Sequence, residues 1–317
     1  MKENVFDMSE NQFDLLPHGI NQTKRITSPD AEKILYHPFH VLDHGFVRLV
    51  DYLGSDESIV KAARVSYGKG TKKVQEDRGL IRYLMRHRHT TPFEMVELTF
   101  HAKMPIFVAR QWIRHRTANV NEESARYSVL GKEFYLPDPV DLGIQSKKNK
   151  QGRDEPVSTK EAILILEMLK HDALNAYEHY EYLLNEDSST PGKPKDETRP
   201  MLARELARMD LSLNFYTQWY WKIDLYNLFH FLGLRMDKHA QFEIRTYASK
   251  MAEITRTISP IAYDAFEDYR LHAMSLSRLE REILTNALDK TRLEELISSS
   301  QLSQREQKEF KEKFNLE

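Results

Sequence analysis

The 317-residue chain contains no cysteine. Disulfides, thiolate metal centres, iron–sulfur clusters and cysteine nucleophiles are therefore excluded. The sequence also lacks any run near the ~20 apolar residues of a membrane span, and the acidic residues 1–15 lack the apolar core of a signal peptide. A net charge of −2 provides no global attraction to nucleic acid or anionic lipid. These absences predict a soluble cytoplasmic protein without nucleic-acid or membrane partners, in which any anion site is a local cluster.

The chain divides into three parts by its patterning. Residues 1–40 are polar and weakly patterned, which predicts an N-terminal extension. Residues 41–275 form the main predicted domain, with a charged surface insertion at about 144–160. Residues 276–317 form a predicted helical extension, in which Ser277 and Ser303 each precede a glutamate at capping-box spacing.

The spacing of apolar residues predicts an α+β fold, mainly helical with a small, mostly antiparallel sheet. Alternation from Met95 to Met104 predicts a strand, and so does the apolar stretch around Arg48. The remaining expectations are helices over 56–67, from Pro105 to Arg116, over 162–184 and over most of 199–269, and a loop over 68–78.

The segment from Gln111 to Arg126 carries the densest chemistry. On a helix through Arg116, Gln111, Arg114 and His115 would share one face. That face would offer forked donors to phosphate, carboxylate or a uracil-like edge. The alternative is a solvated basic helix neutralised by Glu122 and Glu123.

Three further groups have two interpretations each. His87 and His89 predict a ligand-contacting loop more readily than a metal site, because no third ligand lies nearby in sequence. Arg199, Arg204 and Arg208 indicate either a binding site or an exposed helix face. Arg235 lies among Leu and Phe residues, so it needs an anionic ligand or an internal partner such as Asp237. Together the groups predict recognition of a planar polyanion such as a nucleotide or dinucleotide.

The same segment resembles the signature of the flavin-dependent thymidylate synthases. It reads Arg114-His115-Arg116, Asn119, Asn121-Glu122, Ser124 and Arg126, and it departs only at Asn119, where the signature has Ser. Flanking stretches at 89–94, 105–112 and 234–241 agree in order. The resemblance covers about 41–269 and implies the fold of that family, assembled as a homotetramer with shared active sites.

The activity implied by the resemblance is reductive methylation of dUMP to dTMP. Methylenetetrahydrofolate would donate the carbon, and FAD reduced by NADPH would donate the hydride. The resemblance implies FAD contacts at Thr91, Arg114, His115, Arg116, Glu122, Asp224, Leu225, Tyr226 and His230, with His89 near the flavin. It implies dUMP contacts at Gln111, Trp112, Ile113, Arg114, Glu122, Glu123, Ser124, Ala125, Arg126, Arg208 and Arg235, and no metal.

Two residues have specific expected roles. Uracil must become electron-rich at C5, and without cysteine a thiolate cannot add at C6. The resemblance implies that Arg235 faces the N3 edge of the ring, where it would stabilise loss of the N3 proton. Ser124 is expected to bind dUMP rather than attack it, because no base stands beside it in the sequence.

Two alternatives remain at this point. A related enzyme could methylate a different nucleotide with the same arginines. An RNA-binding module could use Arg110, Arg114, Arg116 and neighbouring aromatics, although the slightly acidic balance disfavours it.

Overall fold

The computed structural model describes residues 23–65, 74–147 and 151–314. The elements of the first half are α1 (Pro29–Glu32), β1 (Phe39–Val41), β2 (Gly45–Leu53), α2 (Asp56–Val65), α3 (Val74–Arg86), α4 (Thr91–Glu94), β3 (Glu97–Pro105), α5 (Ile106–Trp112), β4 (Ala118–Glu122), β5 (Gly143–Gln145) and β6 (Arg153–Pro156). Those of the second half are α6 (Thr159–Leu184), α7 (Arg204–Ala207), β7 (Tyr216–Asp224), α8 (Leu225–Arg235), α9 (Phe242–Ile258), α10 (Pro260–Phe266), α11 (Arg278–Ala287), α12 (Lys290–Ser298) and α13 (Gln304–Lys313).

A five-stranded antiparallel sheet, in the order β1-β2-β3-β7-β4, organises the first compact unit, which ends at Phe266. Strand β7 pairs with β3 along its whole length, and with β4 from Ala118 opposite Ile223 to Glu122 opposite Trp219. A second sheet joins β5 to β6. This mixture of helices and a small antiparallel sheet confirms the predicted α+β class.

Several local predictions are confirmed. The alternation from Met95 produces β3, and the apolar stretch around Arg48 produces β2. Helix α6 extends the helix predicted from Ala162 by one turn, with Ser158 accepting from the N–H of Glu161 as its N-cap. The capping boxes at Ser277 and Ser303 both form.

Other local predictions are wrong. The helix that follows Pro105 ends at Trp112 instead of Arg116, because the chain turns to pair as β4. Residues 216–224, expected to be helical, form β7, in which Trp219, Trp221 and Ile223 alternate inward. Residues 74–78, expected in a loop, belong to α3; residues 66–73 lie outside the described part. The predicted surface insertion at 144–160 stays a prediction; its described residues include most of the β5–β6 hairpin and the start of α6.

The core beneath the sheet is a cluster of aromatic rings around Trp112. Its ring centroid lies 5.5 Å from that of Trp219, 5.4 Å from Trp221 and 5.2 Å from Phe231. Trp112 is fully buried. Because this residue ends α5, the cluster fixes the point at which the Gln111–Arg126 segment leaves the core.

Residues from Glu267 form a second compact unit. It holds a π-helical turn at Glu267–Leu271 and helices α11 to α13. Within it, the Tyr269 hydroxyl donates to Glu306, whose side chain is buried. The predicted domain boundaries at 40 and 275 remain predictions. Across the described ranges, no helix combines the length and apolarity needed to cross a bilayer.

Candidate functional site

The segment that follows α5 carries most of the predicted site. Ile113 caps the helix, and the N–H of His115 donates to the carbonyl oxygen of Trp112 at 3.0 Å, which closes a turn. The turn leaves Arg114 and Arg116 exposed and His115 half-buried. In the described part of the chain, neither arginine has an ion-pair partner. Two forked cationic donors are therefore free to bind an anion.

Arg235, on the last turn of α8, packs against this segment. Its Nε donates to His115 Nε2 at 3.0 Å and its Nη2 donates to the carbonyl oxygen of Gln111 at 3.2 Å. Asp237, the internal partner considered from the sequence, is instead bound by His239 at 2.8 Å. The internal ion pair expected as one alternative for Arg235 is thus absent among the described residues.

The electrostatics of this contact are unusual for an arginine. Burial, then the neighbouring Arg235 charge, then His230 lower the pKa of His115 to about 4. His115 is therefore neutral near pH 7, and because its Nε2 accepts from Arg235, its proton lies on Nδ1. Burial also lowers the pKa of Arg235 below its ordinary value. A half-buried cation is held by a neutral ring and a carbonyl, which leaves its charge uncompensated.

Helix α8 places the residues predicted to contact the flavin. Asp224 ends β7 and caps α8 by accepting from the N–H of Asn227 at 2.9 Å. Leu225 is buried and its N–H donates to the Val96 carbonyl oxygen, while Tyr226 is half-buried. The exposed His230 ring lies 6.1 Å from that of His115.

His89, in the turn between α3 and α4, and Thr91, the first residue of α4, lie on the same side, because α4 packs against α8. Arg88 has a φ of 58°, a left-handed conformation that is uncommon for residues other than glycine. It lets the chain leave α3 and start α4 within a few residues. His89 and Thr91 are both exposed. Among the described residues, no three His, Asp or Glu side chains are grouped so as to hold a metal ion.

The far end of the segment is fixed by β7. Glu122 accepts from Thr217 Oγ1 at 2.7 Å, and Glu123 accepts from Gln218 Nε2 at 3.2 Å. After them, the N–H of Tyr127 donates to the Ser124 carbonyl oxygen at 3.0 Å. A tight turn therefore presents Ser124 and the residues that follow it.

The arginines of the α7 region contact this turn. Arg126 lies 3.3 Å from Glu205, and Arg204 donates to the Tyr127 carbonyl oxygen at 2.7 Å. Arg208 follows α7 directly and is exposed. These contacts bring Arg126 and α7, the helix that Arg208 follows, to one end of the segment.

The predicted site residues fall into two groups in one chain. The first group lies around Arg235 and His115, and the second lies around Ser124 and Arg126. The strand β4 separates them, and four steps of ~3.3 Å place its ends about 13 Å apart. No hydrogen bond or ion pair between described residues joins the two groups. Trp112 and Ala125 are buried, so contact between either residue and a nucleotide would involve its backbone.

Some residues that support the site escaped the sequence analysis. Gln241 accepts from the Gln111 side chain, and Thr217 holds Glu122. Arg48 and His101 lie behind Glu123 in a polar chain described below. Arg48 had a visible signal as a lone charge inside an apolar strand, and Gln241 ends the flanking stretch at 234–241.

Comparison with known proteins places this geometry in a family. Residues 48–261 match the family model described as thymidylate synthase complementing protein. A flavin-dependent thymidylate synthase from Rickettsia bellii is 57% identical over 265 residues, covering 83% of this chain and 90% of its own. One from Ruegeria pomeroyi is 54% identical over 290 residues, covering 92% of each chain. The chain belongs to the flavin-dependent thymidylate synthase family.

A solved structure agrees with this membership. The UMP/dUMP methylase PolB from Streptomyces cacaoi, bound with 5-Br dUMP, superposes with a TM-score of 0.63 at 35% identity. The match covers 74% of this chain and 99% of PolB. The resemblance found in the sequence is therefore confirmed, and with it the assignment to a family of flavin-dependent methyltransferases of thymidylate biosynthesis. The individual site residues remain predictions, and all of them lie within the matched range.

Proposed function

We propose that this protein is an FAD-dependent thymidylate synthase that converts dUMP to dTMP, with methylenetetrahydrofolate as carbon donor and NADPH as reductant of the flavin. The observation that supports this best is the uncompensated Arg235 charge beside neutral His115. An anionic uracil edge is the kind of ligand such a cation stabilises.

The donor set fits FAD. Arg114 and Arg116 are exposed forked donors suited to a diphosphate. The rings of His89, Tyr226 and His230 lie on the elements around α8 and provide surfaces for a planar ring system. When bound and reduced, the flavin would supply the hydride for the final reduction.

The chain's own residues would prepare the uracil. Arg235 Nη1 makes no hydrogen bond to any described residue, so it can donate to the O2–N3–O4 edge. A cation at that edge favours loss of the N3 proton, and the resulting anion is more nucleophilic at C5. Neutral His115 keeps Arg235 aimed without cancelling its charge. Ser124 would bind the nucleotide, because among the described residues its Oγ has only the Arg126 N–H as a partner, and no base.

We propose a homotetramer in which two chains complete each site. The two groups of predicted dUMP contacts lie at opposite ends of β4, so a second copy could provide the group that one chain places too far away. In addition, the first half of α6 exposes Ile163, Leu164 and Met168, each more than half exposed, which is typical of a helix face covered by a partner.

The test is a spectrum followed by an assay. Purified protein should show flavin absorbance, and tritium should be released from dUMP labelled at C5 when methylenetetrahydrofolate and NADPH are present, with dTMP as product. Colourless protein that takes up no FAD, or the absence of tritium release, would contradict the proposal.

UMP is the necessary comparison substrate, because a solved relative is described as a UMP/dUMP methylase. If the protein methylated UMP in preference to dUMP, UMP would be assigned as its substrate instead of dUMP. Light scattering or analytical ultracentrifugation would test the tetramer.

A further inference from the structure

A chain of polar side chains crosses the sheet behind the Gln111–Arg126 segment. It starts at Arg48 on β2, passes His101 on β3 and Gln218 on β7, and ends at Glu123. Arg48 and His101 are only 4% and 8% exposed. Burying an arginine and a histidine is costly unless both are hydrogen-bonded, so the contacts that hold them are worth following.

The direction of each hydrogen bond follows from the guanidinium. Arg48 can only donate, and its Nε and Nη2 lie 3.1 Å and 2.7 Å from His101 Nδ1. Nδ1 is therefore the acceptor, and the ring proton lies on Nε2. Nε2 then donates to Gln218 Oε1 at 2.9 Å, which turns the Gln218 amide nitrogen toward Glu123.

The surroundings keep His101 neutral and fixed. Burial, and then the Arg48 charge, lower the pKa of His101 to about 4. The His101 ring stacks on Tyr220 at 4.8 Å, and the edge of Phe46 meets it at 5.0 Å. The orientation of the Gln218 amide is thus set on the face of the sheet opposite the Trp112 cluster.

Glu123 receives two bonds from the same residue. The Gln218 side chain donates to its carboxylate, and its own N–H donates to the Gln218 carbonyl oxygen at 2.8 Å. The turn that presents Ser124 begins at the next residue. We propose that Arg48, His101 and Gln218 are positioning residues for nucleotide binding, which hold Glu123 and the turn at Ser124–Tyr127 in place.

This inference rests on the proposed function, because it takes dUMP as the ligand of that turn. The backbone ladders already join β2, β3 and β7 along their lengths. The sheet therefore does not depend on this polar chain for its register. The chain also ends at the proposed substrate segment instead of closing within the core.

Gln218→Met tests the inference, with Lys222→Met as matched control. Both residues lie on the same face of β7, and Lys222 pairs with Glu97 at 2.6 Å, away from the turn. Loss of one hydrogen bond to a charged group should raise the Kd and KM for dUMP about tenfold in Gln218→Met and leave kcat within about threefold. Lys222→Met should match wild type in titration calorimetry and in steady-state kinetics.

A double-mutant cycle with Glu123→Ala separates positioning from general stability. If Gln218 acts through Glu123, its substitution should add little to the effect of Glu123→Ala. His101→Gln, which retains a donor at the Nε2 position, should bind dUMP better than His101→Phe. Additive effects in the cycle, or a Gln218→Met variant that equals its control, would overturn the inference. A wild-type protein that fails to bind dUMP would instead overturn the proposed function, and this inference with it.

Discussion

Two arginine-rich regions of this protein differ in whether carboxylates neutralise their positive charge. Behind α6, Arg199 contacts Asp196 at 2.9 Å and Arg204 contacts Glu186 at 2.5 Å. Around α5 and α8, Arg114, Arg116 and Arg235 have no carboxylate within ion-pairing distance among the described residues. The first region is called the paired arginines and the second the free arginines.

The carboxylates show the same contrast. Hydrogen bonds from Thr198 and Arg199 lower the pKa of Asp196 to about 2, and Arg204 lowers the pKa of Glu186. The neighbour of Arg235 is a histidine, which can never carry a negative charge, and its lowered pKa also keeps it from becoming a second cation there. In the sequence, the arginines of both regions are equally good candidates for an anion site. In the fold, only some of them are neutralised by a carboxylate. A half-buried arginine without a carboxylate partner marks an anion site better than a paired one does.

The largest effect should come from Arg235→Ala. Removing the cation proposed to stabilise the uracil anion should lower turnover by about a hundredfold or more, as for loss of a transition-state donor. Flavin absorbance should persist. The measurement is tritium release from C5-labelled dUMP at saturating substrate.

Arg199→Ala is the matched control from the paired arginines, because its contacts lie away from the turn at Ser124. It should keep turnover near that of wild type and lower the melting temperature, because Asp196 and the buried Asn185 each lose a hydrogen-bond donor. Near-normal activity in Arg235→Ala, or loss of turnover in Arg199→Ala, would break the distinction between the two regions.

Ser124→Ala should have an intermediate effect. Ser124 lies beside the paired arginines, since its turn contacts Arg204 through Tyr127. A binding hydroxyl contributes about one hydrogen bond, so kcat/KM for dUMP should fall by about tenfold and activity should remain measurable. Complete loss of turnover with unchanged dUMP affinity would point to a nucleophile instead.

The smallest effect is expected for His115→Gln, and it concerns how the free energy of unfolding depends on pH. Below its ordinary pKa of 6.5, His115 takes up a proton in the unfolded chain but not in the fold until about pH 4. The free energy of unfolding therefore falls as pH falls through this window. His115→Gln lacks this contribution, so it should lose less stability between pH 6.5 and 4, as measured by urea unfolding.

His171→Gln, on the exposed surface of α6, should keep the wild-type pH dependence. The paired arginines contribute in a lower window, because the stability from Asp196 is lost only as pH falls from about 3.8 to about 2. Equal pH slopes in wild type and His115→Gln would show that Arg235 does not hold a neutral imidazole.

Elements with a strong repeating pattern were predictable. Strand β3 and helix α6 bury alternate or helically spaced residues, and the capping boxes are local. The alternation in β7 from Trp219 to Ile223 was also present, but the surrounding Leu-rich stretches favoured a helix. Strand β4 could not be predicted, because it is an edge strand with exposed side chains and exists only by pairing with β7.

The site was predictable as a set of residues but not as contacts. The spacing of the signature identified Arg114 to Arg126, yet the contact between Arg235 and His115 joins residues 120 positions apart. Whether an arginine is paired depends on such long-range packing. The contacts by which the buried Arg48 and His101 support Glu123 could not be predicted for the same reason.

Strand β7 has a consequence for how chain length can vary. One edge of β7 binds β3, the other binds β4, and its last residue, Asp224, caps the helix that carries Arg235. Inserting or deleting one residue within β7 would turn every later side chain of the strand to the opposite face. Both halves of the site would then shift at once. Natural length changes should therefore be excluded from β7 and accumulate in segments such as the exposed β5–β6 hairpin.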